Sequence, residues 1–448
     1  MKKNEVLRLE ITGLTNEGAG VARYEGMAVF VPFSAVGDVL DCRVLKVRSS
    51  FSYAKIERLI TPSPDRVENC CPAYTKCGGC SFRHISYSAE LKAKADFVKS
   101  AFLRIGGLDV PFDGILSTEE FSRYRNKAQL PVAKVNGAPV CGYFSPRSHR
   151  VIPCGDCLLS PEIFSKICAE ILKYQRDLGL SCYDEASRKG LLRHIYLRRG
   201  HKSGEIMVCL VVTKPTRAYD GLAKILAEKF SEIKTVVLNV NPERTNVILG
   251  ERVLPIYGGG KINDEICGVA VELSPDSFYQ VNTAAAELVY KKAAEYAELS
   301  GSETLLDLYC GAGTIGLSMA KGLKKLIGVE IVPEAVKNAR ANAERNGVKN
   351  AEFIASDAGK AASELAERGE RPDVVTIDPP RKGCDRATLD AVIKMSPRRV
   401  VMISCDPATA ARDSKYLAEH GYAAARLCAV DMFPRTNHVE TVVKFSKL

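Results

Sequence analysis

A glycine-rich turn and the acid that follows it are the first residues of this chain whose spacing indicates a chemistry. The segment 307–316 reads DLYCGAGTIG, and Glu330 ends the next apolar run, LIGVE. Glycines spaced in this way between a strand and a helix let the backbone approach a ligand closely, and an acid after the second strand accepts hydrogen bonds from ribose hydroxyls. Nicotinamide dinucleotides and S-adenosylmethionine both satisfy these requirements, so the turn alone leaves both open.

A second motif, DPPRKG at 378–383, follows a later apolar run. Its two prolines fix the backbone where a strand ends, and doubly wound sheets bind their ligands at that edge. Asp378 is therefore expected beside the ligand of the glycine-rich turn. A dehydrogenase has no evident need for such a motif, whereas many S-adenosylmethionine enzymes carry an acidic or amide residue and two prolines at this position. The motif favours S-adenosylmethionine.

A cysteine and a glutamate complete the set of candidate reactive groups. Cys405 lies in SCDP, directly before a helix that Asp406 is expected to cap. The helix N-terminus favours a thiolate and Asp406 opposes it, so the net pKa shift stays open. Glu440 lies near the start of a strand that we expect at the sheet edge, where a glutamate is normally a solvated charge.

Three regions are predicted to position these residues. Residues 1–61 read as short strands with turns and predict a small β-barrel that resembles oligonucleotide-binding folds. Residues 62–282 mix helices with strand pairs and predict a central α+β domain. Strands and helices alternate over 283–448, which predicts an α/β fold with a parallel, doubly wound sheet, closed by an antiparallel hairpin at its edge.

Clustered cysteines suggest a metal centre between the first two regions. Cys71, Cys77 and Cys80 lie within ten residues, and Cys154 and Cys157 occur later in CGDC. On spacing alone, Cys77/Cys80 and Cys154/Cys157 are two C-x(2)-C pairs that could bind zinc.

Composition restricts the partners. The 448 residues carry 63 basic and 53 acidic side chains, a net charge of +10, which favours a polyanionic partner. No segment has the length and apolarity of a membrane span, and the N-terminus lacks the apolar core of a signal peptide, so we expect a cytoplasmic protein without a membrane partner. Basic clusters at 123–127 and 188–202 suit contacts with RNA phosphates, although a solvated face is the ordinary explanation.

With DLYCGAGTIGL, DPPRKG, SCDP and HVET in this order, the chain resembles the RNA (uracil-5-)-methyltransferase family, in particular its 23S ribosomal RNA branch. The resemblance covers essentially the whole chain. It implies a Rossmann-like S-adenosylmethionine methyltransferase domain at 283–448 and a TRAM domain at 1–61, with RNA as the partner. We further expect a monomer.

The resemblance also implies residue roles. Cys405 is expected to be the nucleophile that adds to uracil, and Glu440 the general base. Phe278 matches an aromatic residue near the target base. The expected cofactor-binding residues are Gln280, Tyr309, Glu330 and Asp378. The expected ligands of a [4Fe–4S] cluster are Cys71, Cys77, Cys80 and Cys157, with zinc as the alternative metal.

Three functions are therefore weighed. The first is methylation of carbon 5 of a uridine, in 23S rRNA or alternatively in tRNA. The second is a nicotinamide-dependent oxidoreductase, which would have no use for Cys405 or Glu440. The third is a non-catalytic RNA-binding protein with a structural metal, which could lose both residues.

Overall fold

The structure is a computed structural model that describes residues 1–448 and arranges 23 strands in four sheets. The strands are β1 (Val6–Glu10), β2 (Gly13–Leu14), β3 (Gly20–Tyr24), β4 (Met27–Val31), β5 (Val39–Val47), β6 (Phe51–Thr61), β7 (Phe112–Leu116), β8 (Lys127–Val135), β9 (Ala138–Phe144), β10 (Val151–Pro153), β11 (Leu192–Arg199), β12 (Ile206–Val212), β13 (Ile233–Val240), β14 (Arg252–Tyr257), β15 (Ile262–Ile266), β16 (Val269–Leu273), β17 (Thr304–Leu308), β18 (Lys325–Glu330), β19 (Ala351–Ala355), β20 (Val374–Ile377), β21 (Arg399–Ser404), β22 (Tyr422–Val430) and β23 (Glu440–Lys447). The helices are α1 (Tyr74–Cys77), α2 (Tyr87–Ala101), α3 (Glu162–Asp177), α4 (Asp220–Lys229), α5 (Thr283–Ala297), α6 (Thr314–Met319), α7 (Pro333–Arg345), α8 (Ala358–Glu367), α9 (Arg386–Met395) and α10 (Pro407–Glu419), with short π and 3-10 turns at Phe102–Gly106 and Ala320–Gly322.

The first six strands form one sheet in the order β1-β5-β6-β4-β3-β2. Alternate residues of β1 point inward, so that Leu7 and Leu9 are buried while their neighbours are exposed. Contacts between β1 and β3 bend the sheet around this small apolar core.

The central region contains a seven-stranded sheet in the order β10-β9-β8-β11-β12-β13-β14. One face packs against α3 and α4 through residues such as Phe164, Ile171 and Leu222. Residues on the opposite face, including Met207 and Val211, share an apolar cluster with α5 and with the hairpin β15-β16. The central sheet and the C-terminal region are therefore packed together through one core.

The C-terminal sheet has eight strands in the order β19-β18-β17-β20-β21-β23-β22-β7. Strands β17 to β21 run parallel, whereas β23 is antiparallel to both β21 and β22. The predicted parallel sheet and closing hairpin are confirmed.

The predicted place of that hairpin at the sheet edge is wrong. Strand β7, which sequence reasoning assigned to the central domain, pairs in parallel with β22 and forms the edge instead. Helix α2 also packs on this sheet, where Val98 joins the core beneath α10. Residues 87–116 therefore belong structurally with the C-terminal region, because they cover apolar surface that the hairpin would otherwise expose.

No helix of the protein combines the length and the apolar character needed to cross a membrane.

Candidate active site

The candidate site lies at the carboxyl ends of the parallel strands of the eight-stranded sheet. Parallel strands end at the same edge, so the loops after β17, β18, β20 and β21 meet there. Strand β23 runs in the opposite direction, and its first residue, Glu440, therefore begins at the edge where the parallel strands end. The topology thus gathers the glycine-rich turn, Glu330, Asp378, Cys405 and Glu440.

The backbone geometry and close packing of the glycine-rich turn explain why glycines occur there. Gly311 and Gly313 have φ values of 55° and 79°, which side chains disfavour, and nothing lies within 4 Å of where a Cβ of Gly311 would stand. At Gly316 a Cβ would stand 2.7 Å from a Leu326 side-chain carbon, so α6 can pack on the sheet only with glycine there. The turn leaves open space at Gly311 for a ligand to approach the backbone.

Glu330 and Tyr309 flank this turn. The Glu330 carboxylate accepts hydrogen bonds from the Gly311 N–H at 3.1 Å and from the Val332 N–H at 2.9 Å, which orients it toward the turn. Tyr309 has a φ of 62°, an uncommon conformation for a residue with a side chain, and its hydroxyl lies 3.3 Å from that of Thr388. Both side chains are partly exposed and can contact a cofactor.

Cys405 and Glu440 are brought together by strand register. Ser404 lies opposite Thr441 in the last pair of β21 and β23, so Cys405 and Glu440 are the next residues in each direction, and the charge of Glu440 acts on the pKa of the Cys405 thiol. The Thr441 hydroxyl donates to the Ser404 carbonyl at 3.0 Å and ties the strands together at this point. Asp406 caps α10 as predicted, accepting from the Ala408 N–H at 2.9 Å.

Burial controls the charges at this pair. Glu440 is only 9% exposed, and its burial, together with the charge of Asp378, raises its pKa to about 8. Burial, followed by the charges of Glu440 and Asp378, raises the pKa of the Cys405 thiol to about 11. The expectation that Glu440 lies on an edge strand is wrong, because β23 is flanked by β21 and β22, and β7 forms the edge.

Asp378 and Arg381 are the other charged groups that influence pKa values at this site. Burial, with a smaller contribution from Asp307, raises the pKa of Asp378 to about 7. The exposed Arg381 acts in the other direction and lowers the pKa values of both Cys405 and Glu440. A cation bound at this cleft would favour the ionised thiol and carboxylates for the same reason.

Gln280 and Phe278 lie in the segment directly before α5. The Asn126 side-chain amide donates to the Gln280 carbonyl at 2.8 Å, and the Asn282 amide donates to the Met432 carbonyl at 3.0 Å, in the loop that leads to Glu440. Phe278 is 72% exposed and lines a cleft beside Ala312 of the glycine-rich turn. An exposed aromatic ring at this cleft is suited to stacking on a planar base.

The predicted metal-binding cysteines gather from two distant segments. Burial raises the pKa of Cys77, and the neighbouring thiols of Cys71 and Cys157 raise it further. A hydrogen bond from the Cys154 thiol lowers the pKa of Cys157. The folding of the chain thus brings both cysteine segments together, but no three metal-binding side chains are arranged around a common point.

The basic cluster at 188–202 lies only partly at the surface. Arg193, His194 and Arg198 are at most 5% exposed, and the Arg198 guanidinium donates to the carbonyls of Ser274 at 2.8 Å and Ser277 at 2.7 Å. The two guanidinium groups hold loops in place, so these three side chains cannot form a solvent-facing surface for phosphates. The exposed members of the cluster are Arg188, Lys189, His201 and Lys202.

Comparison with known proteins identifies the family to which the chain belongs. The family model described as tRNA (uracil-5-)-methyltransferase matches residues 86–448, and a TRAM domain model matches residues 2–56. The chain belongs to the tRNA (uracil-5-)-methyltransferase family. This RNA methyltransferase is 41% identical to uncharacterized RNA methyltransferases of Clostridium tetani and Halalkalibacterium halodurans, each over 444 residues, 99% of this chain and 96% and 97% of the relatives.

A solved relative supports the cofactor. The tRNA (uracil-54, C5)-methyltransferase of Pyrococcus abyssi, in complex with S-adenosyl-L-homocysteine, superposes with a TM-score of 0.79 and is 26% identical, covering 98% of this chain and all of the other. The methyltransferase therefore uses S-adenosylmethionine, and its predicted methyltransferase fold with an N-terminal TRAM domain is confirmed.

Sequence reasoning gave no role to several residues that hold this site. Arg381 was seen only as part of DPPRKG, and Asn126 carried no recognisable signal. Lys94 and Glu90 are four residues apart on α2, a spacing that ordinarily indicates a surface ion pair, yet both are fully buried against the loop before Glu440. Their importance follows only from long-range packing.

Proposed function

We propose that the enzyme methylates carbon 5 of a uridine in 23S ribosomal RNA through a covalent cysteine intermediate. The observation that carries this proposal is the proximity of Cys405 and Glu440, each one residue beyond the last pair of β21 and β23. Methylation of a nitrogen or a ribose oxygen needs no paired nucleophile and base, whereas carbon 5 of uracil needs both.

Cys405 begins the reaction. Its thiolate forms a bond to carbon 6 of uracil, and the electrons of the 5,6 double bond move into an enolate that makes carbon 5 nucleophilic. When bound, S-adenosylmethionine supplies the methyl group and a sulfonium charge that favours the thiolate. Gln280, Tyr309, Glu330 and Asp378 are proposed to hold this cofactor.

Glu440 ends the reaction. Its carboxylate removes the proton from carbon 5, the electrons of that bond restore the double bond, and the bond between carbon 6 and sulfur breaks. The Cys405 thiolate is regenerated. Because the uracil must reach a partly buried thiol, the uridine leaves its stack, and Phe278 is placed to contact it.

The choice of 23S rRNA rests on the resemblance to that branch of the family. The second candidate substrate is tRNA, which the Pyrococcus abyssi relative is named for. Sequencing for missing 5-methyluridine in both RNAs of a deletion strain distinguishes them: loss in tRNA alone would contradict the proposal. We expect the enzyme to act as a cytoplasmic monomer.

Cys71, Cys77, Cys80 and Cys157 are proposed to hold a [4Fe–4S] cluster, since four thiolates are the usual ligands of such clusters. The spacing of three of these cysteines within ten residues supports this assignment. Zinc bound by the two C-x(2)-C pairs is the alternative. Methyl transfer moves no electrons, so the metal would stabilise the segment that carries it.

The test of the covalent mechanism uses RNA with 5-fluorouridine at the target. Fluorine cannot leave as a cation, so the methylated adduct should persist on denaturing gels, and peptide mapping should find it at Cys405. Cys310 and Cys384 are matched controls, since both are buried at 6% and 7% exposure. An adduct at either, or methylation by Cys405→Ala, would overturn the mechanism.

A further inference from the structure

The loop between β22 and β23 is held by a fully buried ammonium group. Lys94 of α2 donates from Nζ to Asp431 Oδ1 at 2.7 Å, to Glu90 Oε1 at 2.8 Å and to the Phe433 carbonyl at 3.2 Å. Lys94, Glu90 and Asp431 have no exposed side-chain surface. The three contacts use all the donors of the ammonium group, and two of them reach the loop from a helix more than 300 residues away in sequence.

Neighbouring groups complete this attachment. The Tyr87 hydroxyl donates to the second carboxylate oxygen of Asp431 at 2.9 Å. The Arg435 N–H donates to Glu90 Oε1 at 2.6 Å, so that Glu90 binds both the lysine and the loop. The loop therefore has polar attachments to α2 at Asp431, Phe433 and Arg435.

The same loop determines the position of Glu440. Val430 lies opposite Glu440 in the pairing of β22 with β23, and Asp431 directly follows Val430. Asp431 is thus the first residue of the loop, and Glu440 is the first residue after it. A displacement of Asp431 is transmitted to Glu440 through the backbone, whereas Cys405 lies on the separate connection between β21 and α10.

Stability alone does not account for this arrangement. Removing an ammonium group and two carboxylates from water is costly, and apolar side chains of similar volume often give equal or greater stability. What the buried charges supply is a single geometry, because the ammonium protons and both Asp431 oxygens have fixed partners, and the second Glu90 oxygen lies 3.5 Å from the Arg435 guanidinium.

We propose that Lys94 is a positioning residue for the Glu440 carboxylate, acting with Glu90 and Asp431 to fix the β22–β23 loop. This inference rests on the proposed function, since it assigns Lys94 to the proton-removal step and leaves thiol addition and methyl transfer to Cys405. The two steps can be measured separately.

The test compares Lys94→Met with Lys99→Met in the full-length enzyme. Lys99 lies on the same helix but is 52% exposed, and its contacts with the exposed Asp96 and the Phe112 ring do not involve the β22–β23 loop, so its variant should behave as wild type. Lys94→Met should form the adduct with 5-fluorouridine RNA at a rate within about twofold of wild type. With uridine RNA it should release product about 10- to 100-fold more slowly, so the covalent adduct should accumulate.

Equal slowing of both steps in a folded Lys94→Met variant, or normal product release, would overturn the inference. Tyr87→Phe provides a milder test if Lys94→Met does not fold, because it removes one hydrogen bond to Asp431 and keeps the ring that stacks on Phe121 at 4.6 Å. Product release should then slow by about twofold to tenfold; unchanged release would refute the positioning role. Absence of any wild-type adduct would instead refute the proposed function.

Discussion

Replacing Glu440 by glutamine should separate methyl transfer from product release. Glutamine keeps the size of the side chain but cannot remove a proton, while the thiol of Cys405 and the cofactor loops stay in place. Turnover should fall by about 10²- to 10⁴-fold, the usual contribution of a general base. A methylated protein–RNA adduct should accumulate with ordinary uridine RNA, because addition precedes the step that is lost.

The raised pKa of Glu440 gives this prediction a pH dependence. With a pKa of about 8, roughly a tenth of the carboxyl groups are ionised at pH 7 and roughly nine tenths at pH 9. Release of methylated RNA from the preformed adduct should therefore quicken about tenfold over this range in the wild type. In Glu440→Gln the residual release should lack this rise.

The assay is a single-turnover experiment in which adduct and product are resolved on denaturing gels at several pH values. Glu419→Gln is the matched control, since Glu419 is exposed at the end of α10 and should leave both steps unchanged. If Glu440→Gln binds RNA but forms no adduct, or releases product with the wild-type pH profile, Glu440 is not the base.

The stability of the folded protein should change with pH in the direction opposite to product release. The folded protein retains a proton on Glu440 between pH 4.5 and about 8, where the unfolded chain has lost it, so this group lowers the free energy of unfolding as the pH rises. Above pH 8 the full loss of free energy of unfolding is about 5 kcal/mol. Glu440→Gln should unfold at a higher denaturant concentration than wild type at pH 9, with a smaller difference at pH 5.

Three further variants test other parts of the protein. Glu330→Gln should weaken S-adenosylmethionine binding about tenfold or more in calorimetry, because a charged acceptor is lost; unchanged affinity would remove Glu330 from the cofactor site. Lys189→Met should weaken RNA binding and reduce its salt dependence by about one counterion, since Lys189 is exposed, whereas Arg198→Met should mainly lower the melting temperature, since its buried guanidinium holds two backbone carbonyls. Cys71→Ala should lose the visible absorbance expected of an iron–sulfur cluster; colourless anaerobic wild-type protein containing stoichiometric zinc would contradict that cluster.

Much of the fold could be predicted because its signals are local. The alternation of strands and helices after residue 283 predicts the parallel sheet that the structure contains, and the position of Asp406 before a helix predicts the cap that it forms on α10. The glycines of the cofactor turn were equally readable, because their role depends on backbone conformation and close packing around a single strand–helix connection.

The burial and contacts of individual side chains could not be predicted from local sequence signals. Arg193 and Arg198 look like surface cations in sequence, and Lys94 with Glu90 looks like an exposed helical ion pair, yet all four are buried. Their partners lie on segments distant in the chain, so periodicity within one element carries no information about them.

The sequence by itself therefore determined which chemistry this protein has available: a glycine-rich cofactor turn, a thiol before a helix and an acid near the start of a strand. Only the tertiary structure decided that Cys405 and Glu440 lie close together, because that follows from the antiparallel register of β21 and β23. It also decided that Glu440 is buried, since β22 and β7 continue the sheet beyond it. Strand pairing and desolvation depend on residues far apart in the chain, and together they make an ordinary glutamate suited to proton removal near neutral pH.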